Sequence, residues 1–417
     1  MVEHQDVGSA GAAIAGDTPL PLSALAEWRR GWPTVLAAGV GIGSTALYLY
    51  SMGLIIVPLQ KAFGWSQAQI AAGTMVVALV NFLLAARVGG LADRWGVHRV
   101  AVPGFVAFSL SFMALGLAGP QLWSWYLLWA LVGISFTTTA PSLWAVAVVT
   151  RFEKSRAFAL SVALCGIGAA AAVMPFAQLL LLQHGGWRWV YFGLGAGMLI
   201  IGTPILILAV ARSGQSLDRQ PSARHVSGVT FRGALRYPSF WMLALASALI
   251  AAGGNALIVY LAPISIKHGL SVGQAATVVS MMGLTAMIGR PVVGALLDRF
   301  SVRLIGAVIF ALPIAISGLL LLGDNKLIFV AAILLGTVIG AELSILAILV
   351  RSCFGTRNYA SILGQITATF HIGGGFGPVL AGVVHDQTGS YSTMLIFLMI
   401  LFCVPPMLLF FVRPVAE

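Results

Sequence analysis

Arg290, Glu342 and His371 are ionisable residues inside long apolar runs, where a charge needs a reason. Arg290 interrupts the run at roughly 272–297, Glu342 the run at 325–351, and His371 the run at 358–385. Arg290 precedes the pair Asp298-Arg299 by eight positions (298 − 290), a depth of roughly 12 Å at about 1.5 Å per helical residue. A charge at that depth is costly and faces a cavity or a partner. A guanidinium offers a planar fork of donors that matches a carboxylate bidentately. Glu342 lies at a comparable depth, so it is either an ion-pair partner for Arg290 or a group that carries a proton. His371 brings a hydrogen bond and a titratable charge. Tyr48, Asn255 and Tyr260 are the mid-run polar side chains expected to complete a cavity around them.

Other chemistries lack their residues. No Gly-x-x-x-x-Gly-Lys-Ser/Thr loop is present, so ATP is not expected to drive the protein. No metal-spaced His/Cys set and no nucleophile elbow occurs, and Cys165, Cys353 and Cys403 have no pairing spacing. The expectation is therefore no enzyme, no metal and no cofactor.

The elements that must position these side chains are membrane helices. Of 417 residues, 59% are hydrophobic and 8% charged, against about 25% charged in a soluble domain. Most of the chain cannot face water, and its length gives room for about twelve spans of ~20 or more residues. Apolar runs fall at roughly 33–60, 67–92, 99–118, 122–150, 156–183 and 187–211, then 239–267, 272–297, 303–322, 325–351, 358–385 and 389–412. This predicts an all-α membrane protein of two six-helix bundles, 33–211 and 239–412. They are flanked by an N-terminal tail (1–32), a polar linker (212–238) and a C-terminal stub (413–417).

The net charge of +11 is explained by topology. Counting loops alternately, Lys and Arg gather on one side, from Arg29 and Arg30 through Arg94, Arg99, Arg299, Arg303, Arg351 and Arg413. The other side has only Lys61, Arg188, Lys267 and Lys326. By the positive-inside rule both termini and the linker are cytoplasmic. A multi-pass cell (inner) membrane protein with no nucleic-acid partner is expected.

One stretch is written twice. Gly89-Gly90-Leu91-Ala92-Asp93-Arg94-Trp95-Gly96-Val97-His98-Arg99 returns as Gly294-Ala295-Leu296-Leu297-Asp298-Arg299-Phe300-Ser301-Val302-Arg303. A charged turn repeated once per half is the mark of a duplicated transporter bundle. These turns resemble the signature loop of the major facilitator superfamily, and the twelve runs with their long middle loop extend the resemblance over the whole chain. Val97 and Ser301 depart from the usual pattern. The resemblance implies a latch at the cytoplasmic gate built from Asp93, Arg94, Asp298 and Arg299, with Asp93 as its acceptor.

Five flanking pieces narrow the resemblance. They are Phe63-Gly64-Trp65-Ser66-Gln67, Arg151-Phe152-Glu153-Lys154-Ser155-Arg156, Gly289-Arg290-Pro291, Gly340-Ala341-Glu342 and His385-Asp386-Gln387-Thr388-Gly389-Ser390-Tyr391. In this order they look like the branch of monocarboxylate porters and oxalate:formate antiporters. The resemblance implies that Arg290 of the Arg-Pro pair binds the substrate carboxylate, and that His371 stands near the position of a Lys in the oxalate:formate branch. Two departures touch coupling. Gly53 or a neighbour occupies the place of a first-helix Lys, and Ala286 that of an Asp one turn before Arg290.

The expected function is secondary transport of a small organic anion, monocarboxylate-like, by alternating access. Glu342 or His371 would supply proton coupling, unless the protein exchanges anions. The partners expected are a small carboxylate, protons where transport is proton-coupled, and the bilayer, with the protein a monomer. A proton-driven exporter of drugs or amphipathic metabolites is the alternative, although Gly377-Pro378 lies in the eleventh run and not the fifth. A transporter-like sensor would need a larger cytoplasmic domain. Gly373 to Pro378 is read as either a mid-membrane bend or a packing surface.

Overall fold

The computed structural model describes residues 24–152, 154–213, 228–355 and 357–413. Eleven helices are long and apolar enough to cross a membrane. They are α1 (Glu27–Phe63), α2 (Gln67–Ala92), α3 (Val97–Leu117), α4 (Leu122–Arg151), a 55-residue stretch Phe158–Arg212, α7 (Pro238–Lys267), α8 (Val272–Leu297), α9 (Val302–Leu322), α10 (Asn325–Phe354), α11 (Ser361–Thr388) and α12 (Tyr391–Phe411). The 55-residue stretch reverses at Gly186, whose φ of 73° and ψ of −168° suit a residue without a Cβ. It is therefore two spans, α5 (158–185) and α6 (187–212), and the total is twelve. Among the described residues there is no strand, only an isolated bridge between Gly228 and Gly355.

Helix starts are written in the sequence. α2 opens on a capping box in which the Ser66 hydroxyl accepts from the Gln69 amide and the Gln69 side chain accepts from the Ser66 amide. α8 opens on the same device with Ser271 and Gln274. The internal repeat therefore fixes both ends of these two helices, a capping box at one and the Asp-Arg turn at the other. Each capping pair satisfies backbone donors that a helix start leaves orphaned.

The first helix begins at Ala24, earlier than the expected start after a tail of residues 1–32. Glu27 is the physical reason. Its carboxylate accepts the backbone amides of Lys154 and Ser155 at 3.1 and 3.2 Å, and Trp28 packs its ring on Phe152 and Phe158. α1 is also broken, into Ala24–Ser44, Leu47–Tyr50 and Met52–Phe63. At the first break the hydroxyls of Ser44 and Thr45 donate to the carbonyls of Gly41 and Ile42, side-chain bonds that compete with the helical ladder.

The two halves meet along three seams, α1 with α7, α2 with α11 and α5 with α8. The Gly373–Pro378 run lies inside the continuous helix Tyr359–Thr388 and is a packing surface. Gly373 and Gly377 press against the carbonyls of Ala248 and Ala252 in α7, and Gly375 against Ala78 in α2. With lipid as solvent, such small residues let backbones approach closely. A Cβ at Gly377 would overlap the Ala252 carbonyl, so Gly377→Ala lowers stability by about 1–3 kcal/mol through overpacking. A fall in the melting temperature of the purified protein checks this; an unchanged value would mean α7 and α11 are not packed this tightly.

Candidate functional site

α8 carries Arg290 to the seam with α5, where one guanidinium nitrogen (Nη1) donates to the Leu164 carbonyl at 2.9 Å. No other hydrogen bond to that guanidinium is described, so most of its fork is open. α10 brings Glu342, only 6% exposed, beside α7; its Oε2 lies 4.0 Å from where a Cβ on Gly254 would stand. The short segment Leu47–Tyr50 of α1 brings Tyr50, also buried at 6%. Arg290, Glu342 and Tyr50 lie within electrostatic range of one another, with Tyr48 next to Tyr50. No ion pair within 4 Å joins Arg290 to Glu342. Among the described residues the Glu342 carboxylate and the Tyr50 hydroxyl have no hydrogen-bond partner. The site is thus a guanidinium with free donors, a carboxylate without donors and a phenol, from three helices of both halves. A ligand carboxylate fits such a fork.

The other expected residues are placed differently. Tyr48 is half-buried and packs edge-on against Phe136 at 5.0 Å. Asn255 donates to the Gly374 carbonyl at 3.1 Å, and Tyr260 to that of Pro378 at 2.9 Å. Both tie α7 to α11, and the structure does not bring them to Arg290. His371 places Nδ1 2.7 Å from the Thr367 carbonyl; a carbonyl only accepts, so Nδ1 carries a proton. The contacts described for this ring are with Thr367 and Phe370, and none described joins it to Arg290. Tyr50, not among the expected site residues, is the phenol that joins the set. Its signal is its place two residues after Tyr48 and five past the Ser44-Thr45 pair at the first break of α1.

Both departures at the family's coupling positions fall where helices touch. A Cβ on Gly53 would meet the Val259 carbonyl at 3.1 Å, so α1 and α7 leave a lysine stem no room there without shifting. Ala286 is buried at 4% and presents its backbone to Gly336 and Gly340 of α10. The α8–α10 contact that excludes a carboxylate at 286 sets Glu342 half a turn beyond Gly340.

The gate residues divide. The side chains of Asp93 and Asp298 lie outside the described residues, while Arg94 and Arg299 are exposed. Around them Gly89, Gly90 and Gly294 have open space on their Cβ side. The opposite end is tied. Asp386, at the end of α11, accepts the backbone amides of Gln67 and Ala68 at 3.1 and 2.9 Å, and the Gln67 side chain donates to the Tyr391 hydroxyl at 2.6 Å. Deeper in the same seam the Thr74 hydroxyl donates to the Gly375 carbonyl. An anion on the first amides of α2 is held by charge-assisted bonds and by the helix dipole. The sequence had shown both halves of this latch, Ser66-Gln67 and His385-Asp386, but only as family marks. Asp386→Asn loosens it; we expect labelling of the cysteine in Thr74→Cys, at the same seam, by a reagent applied from that end to rise about tenfold, about 1.4 kcal/mol of latch energy. Unchanged labelling would deny that Asp386 holds the halves together.

Residues 36–364 match the family described as Major Facilitator Superfamily. The chain is similar to Monocarboxylate transporter 11 of Homo sapiens, 28% identical over 377 residues that cover 87% of this chain and 78% of that protein. It is also similar to the tetracenomycin C resistance and export protein of Streptomyces glaucescens, 27% identical over 223 residues, 52% of this chain and 40% of that one. Among solved structures, a bacterial homolog to the human lysosomal transporter Spinster, in an inward-facing and occupied conformation, superposes with a TM-score of 0.71 at 18% identity, covering 92% of this chain and 97% of that one. With the family spanning most of the chain and the twelve-helix fold in place, the protein is a multi-pass membrane transporter and not an enzyme: it belongs to the Major Facilitator Superfamily.

Proposed function

We propose that the protein moves a small organic monocarboxylate by alternating access, with Arg290 as the carboxylate site and Glu342 as the proton carrier. One observation carries this reading: a membrane-depth guanidinium keeps most of its donors open opposite a carboxylate that it does not close upon. The names of the similar monocarboxylate transporters support the same substrate class.

Coupling follows from electrostatics. While the site is empty, the positive charge of Arg290 offsets Glu342 across a low-dielectric gap. An arriving carboxylate takes up that positive charge, and Glu342 is then neutralised by a proton. Anion and proton cross together, which removes the cost of about 2.3 kcal/mol per charge per 100 mV of membrane potential. The Asp93 and Asp298 turns latch the basic end, taken as cytoplasmic, when the halves rock.

The exporter reading rests on the similarity to the tetracenomycin export protein, which spans half of this chain. Uptake of labelled short monocarboxylates into proteoliposomes under an inward proton gradient separates the two. Saturable uptake competed by unlabelled carboxylate supports the anion reading. Uptake only of cationic amphiphiles, with carboxylates inert, overturns it.

A further inference from the structure

Resting on the anion reading above, we infer that the substrate is an amphipathic carboxylate whose apolar tail lies in a lateral crevice between α1, α5 and α6 while its carboxylate takes Arg290. The crevice has a volume of about 840 Å³, within the range of roughly 300–1,000 Å³ that suits a drug-sized ligand. A three-carbon acid would leave most of it empty.

Its outer mouth faces the apolar surface. Trp32, Val173 and Ile201 line it there and are 45%, 67% and 63% exposed. Its lining also includes Cys165, Leu47 and Met287, each a near neighbour of the charged site. Cys165 follows Leu164, whose carbonyl holds Arg290, and lies within electrostatic range of the guanidinium. Met287 is one turn before Arg290 on α8, and Leu47 precedes Tyr48. The crevice therefore passes beside the break in α1 and ends within a turn of the cation.

The lining polarity fits a tail. Ser44 carries the one aliphatic hydroxyl of the lining, and it is already bonded to Gly41 at 2.7 Å. The indole N–H groups of Trp28 and Trp32 and the Cys165 thiol are neutral donors, and the lining offers a carboxylate no cation before Arg290, so the charge lies at the inner end and the tail outward.

A second observation lies on the opposite wall. α6 leaves the regular helix over Met198–Gly202 for a five-residue π-helical turn, and Met198, Ile201 and Gly202 of that turn line the crevice. Such turns inside α-helices are frequent at functional sites. Here the widened turn and Gly197, whose Cβ direction is open, give the crevice its depth.

The test uses the full chain in lipid nanodiscs and measures binding of straight-chain carboxylates from propionate to decanoate, with the matching alcohols as uncharged controls. Affinity is expected to rise about three- to fourfold per added methylene, with the alcohols at least about a hundredfold weaker. Gly197→Phe fills the crevice from a position in helical backbone (φ −58°, ψ −44°), and Ala169→Phe fills it from α5. In both variants propionate binds as in the wild type and the chain-length dependence flattens. Arg290→Gln loses every acid.

Acids that bind through Arg290 with no chain-length dependence in the wild type would overturn the crevice and leave the anion site standing. A dependence that survives both filled variants means the tail lies elsewhere, in bulk lipid or on another face, and overturns it too. Carboxylates that fail to bind at any length overturn the anion reading, and this inference with it.

Discussion

Arg290→Ala is expected to cut carboxylate uptake into proteoliposomes by a hundredfold or more. Removing one partner of a desolvated charge pair costs roughly 3–5 kcal/mol, and about 2.7 kcal/mol already corresponds to a hundredfold. Arg290→Lys keeps the charge without the planar fork, so it should retain part of the activity, about a tenth. The variant also leaves Glu342 without its compensating charge, and Arg290→Ala alone is expected to unfold at a lower temperature. Arg290→Ala/Glu342→Gln removes that burden and recovers the fold without recovering uptake. Wild-type uptake by the folded double variant would remove Arg290 from the site.

Glu342→Gln is expected to separate transport from the proton gradient. The amide keeps the volume beside Gly254 and carries no proton across. Uptake driven by an acid exterior falls at least tenfold, while exchange of labelled for unlabelled substrate at equal pH on both sides stays within about threefold. Unchanged acid-driven uptake in this variant would pass the proton to His371 or to an exchanged anion. His371 is the weaker candidate, since its described contacts lie within α11 and not on Arg290.

Most of the fold was legible because membrane helices are read from composition and length alone. Apolar runs placed twelve spans to within a few residues, and the repeated Asp-Arg turns placed the duplication. Ser66 and Ser271 added the capping that starts α2 and α8. The start of α1 was not legible, because Ala24–Gly31 is not apolar; what holds it helical is Glu27 reaching backbone amides more than a hundred residues away.

The site was legible only in its charges. Arg290 and Glu342 stand out in any apolar run, and the structure brings both to one place. Asn255 and Tyr260 looked the same in sequence, as polar residues at mid-helix, yet both donate to α11 carbonyls. Nothing in a one-dimensional pattern says whether a polar group faces a cavity or a neighbouring backbone. The crevice was invisible for the same reason. Its walls are Gly, Ala and aliphatic residues that also serve as packing, and its depth depends on a break in α1 and a π turn in α6.

The most direct test of the central claim is ligand-dependent melting of the purified protein against a panel of mono- and dicarboxylates, run beside Arg290→Ala/Glu342→Gln. A ligand that binds the folded state stabilises it by about 2.7 kcal/mol at a hundred times its dissociation constant. The account predicts a rise in melting temperature with monocarboxylates in the wild type and none in the double variant. The same rise in both proteins, or a rise with cationic amphiphiles and no carboxylate, would contradict it.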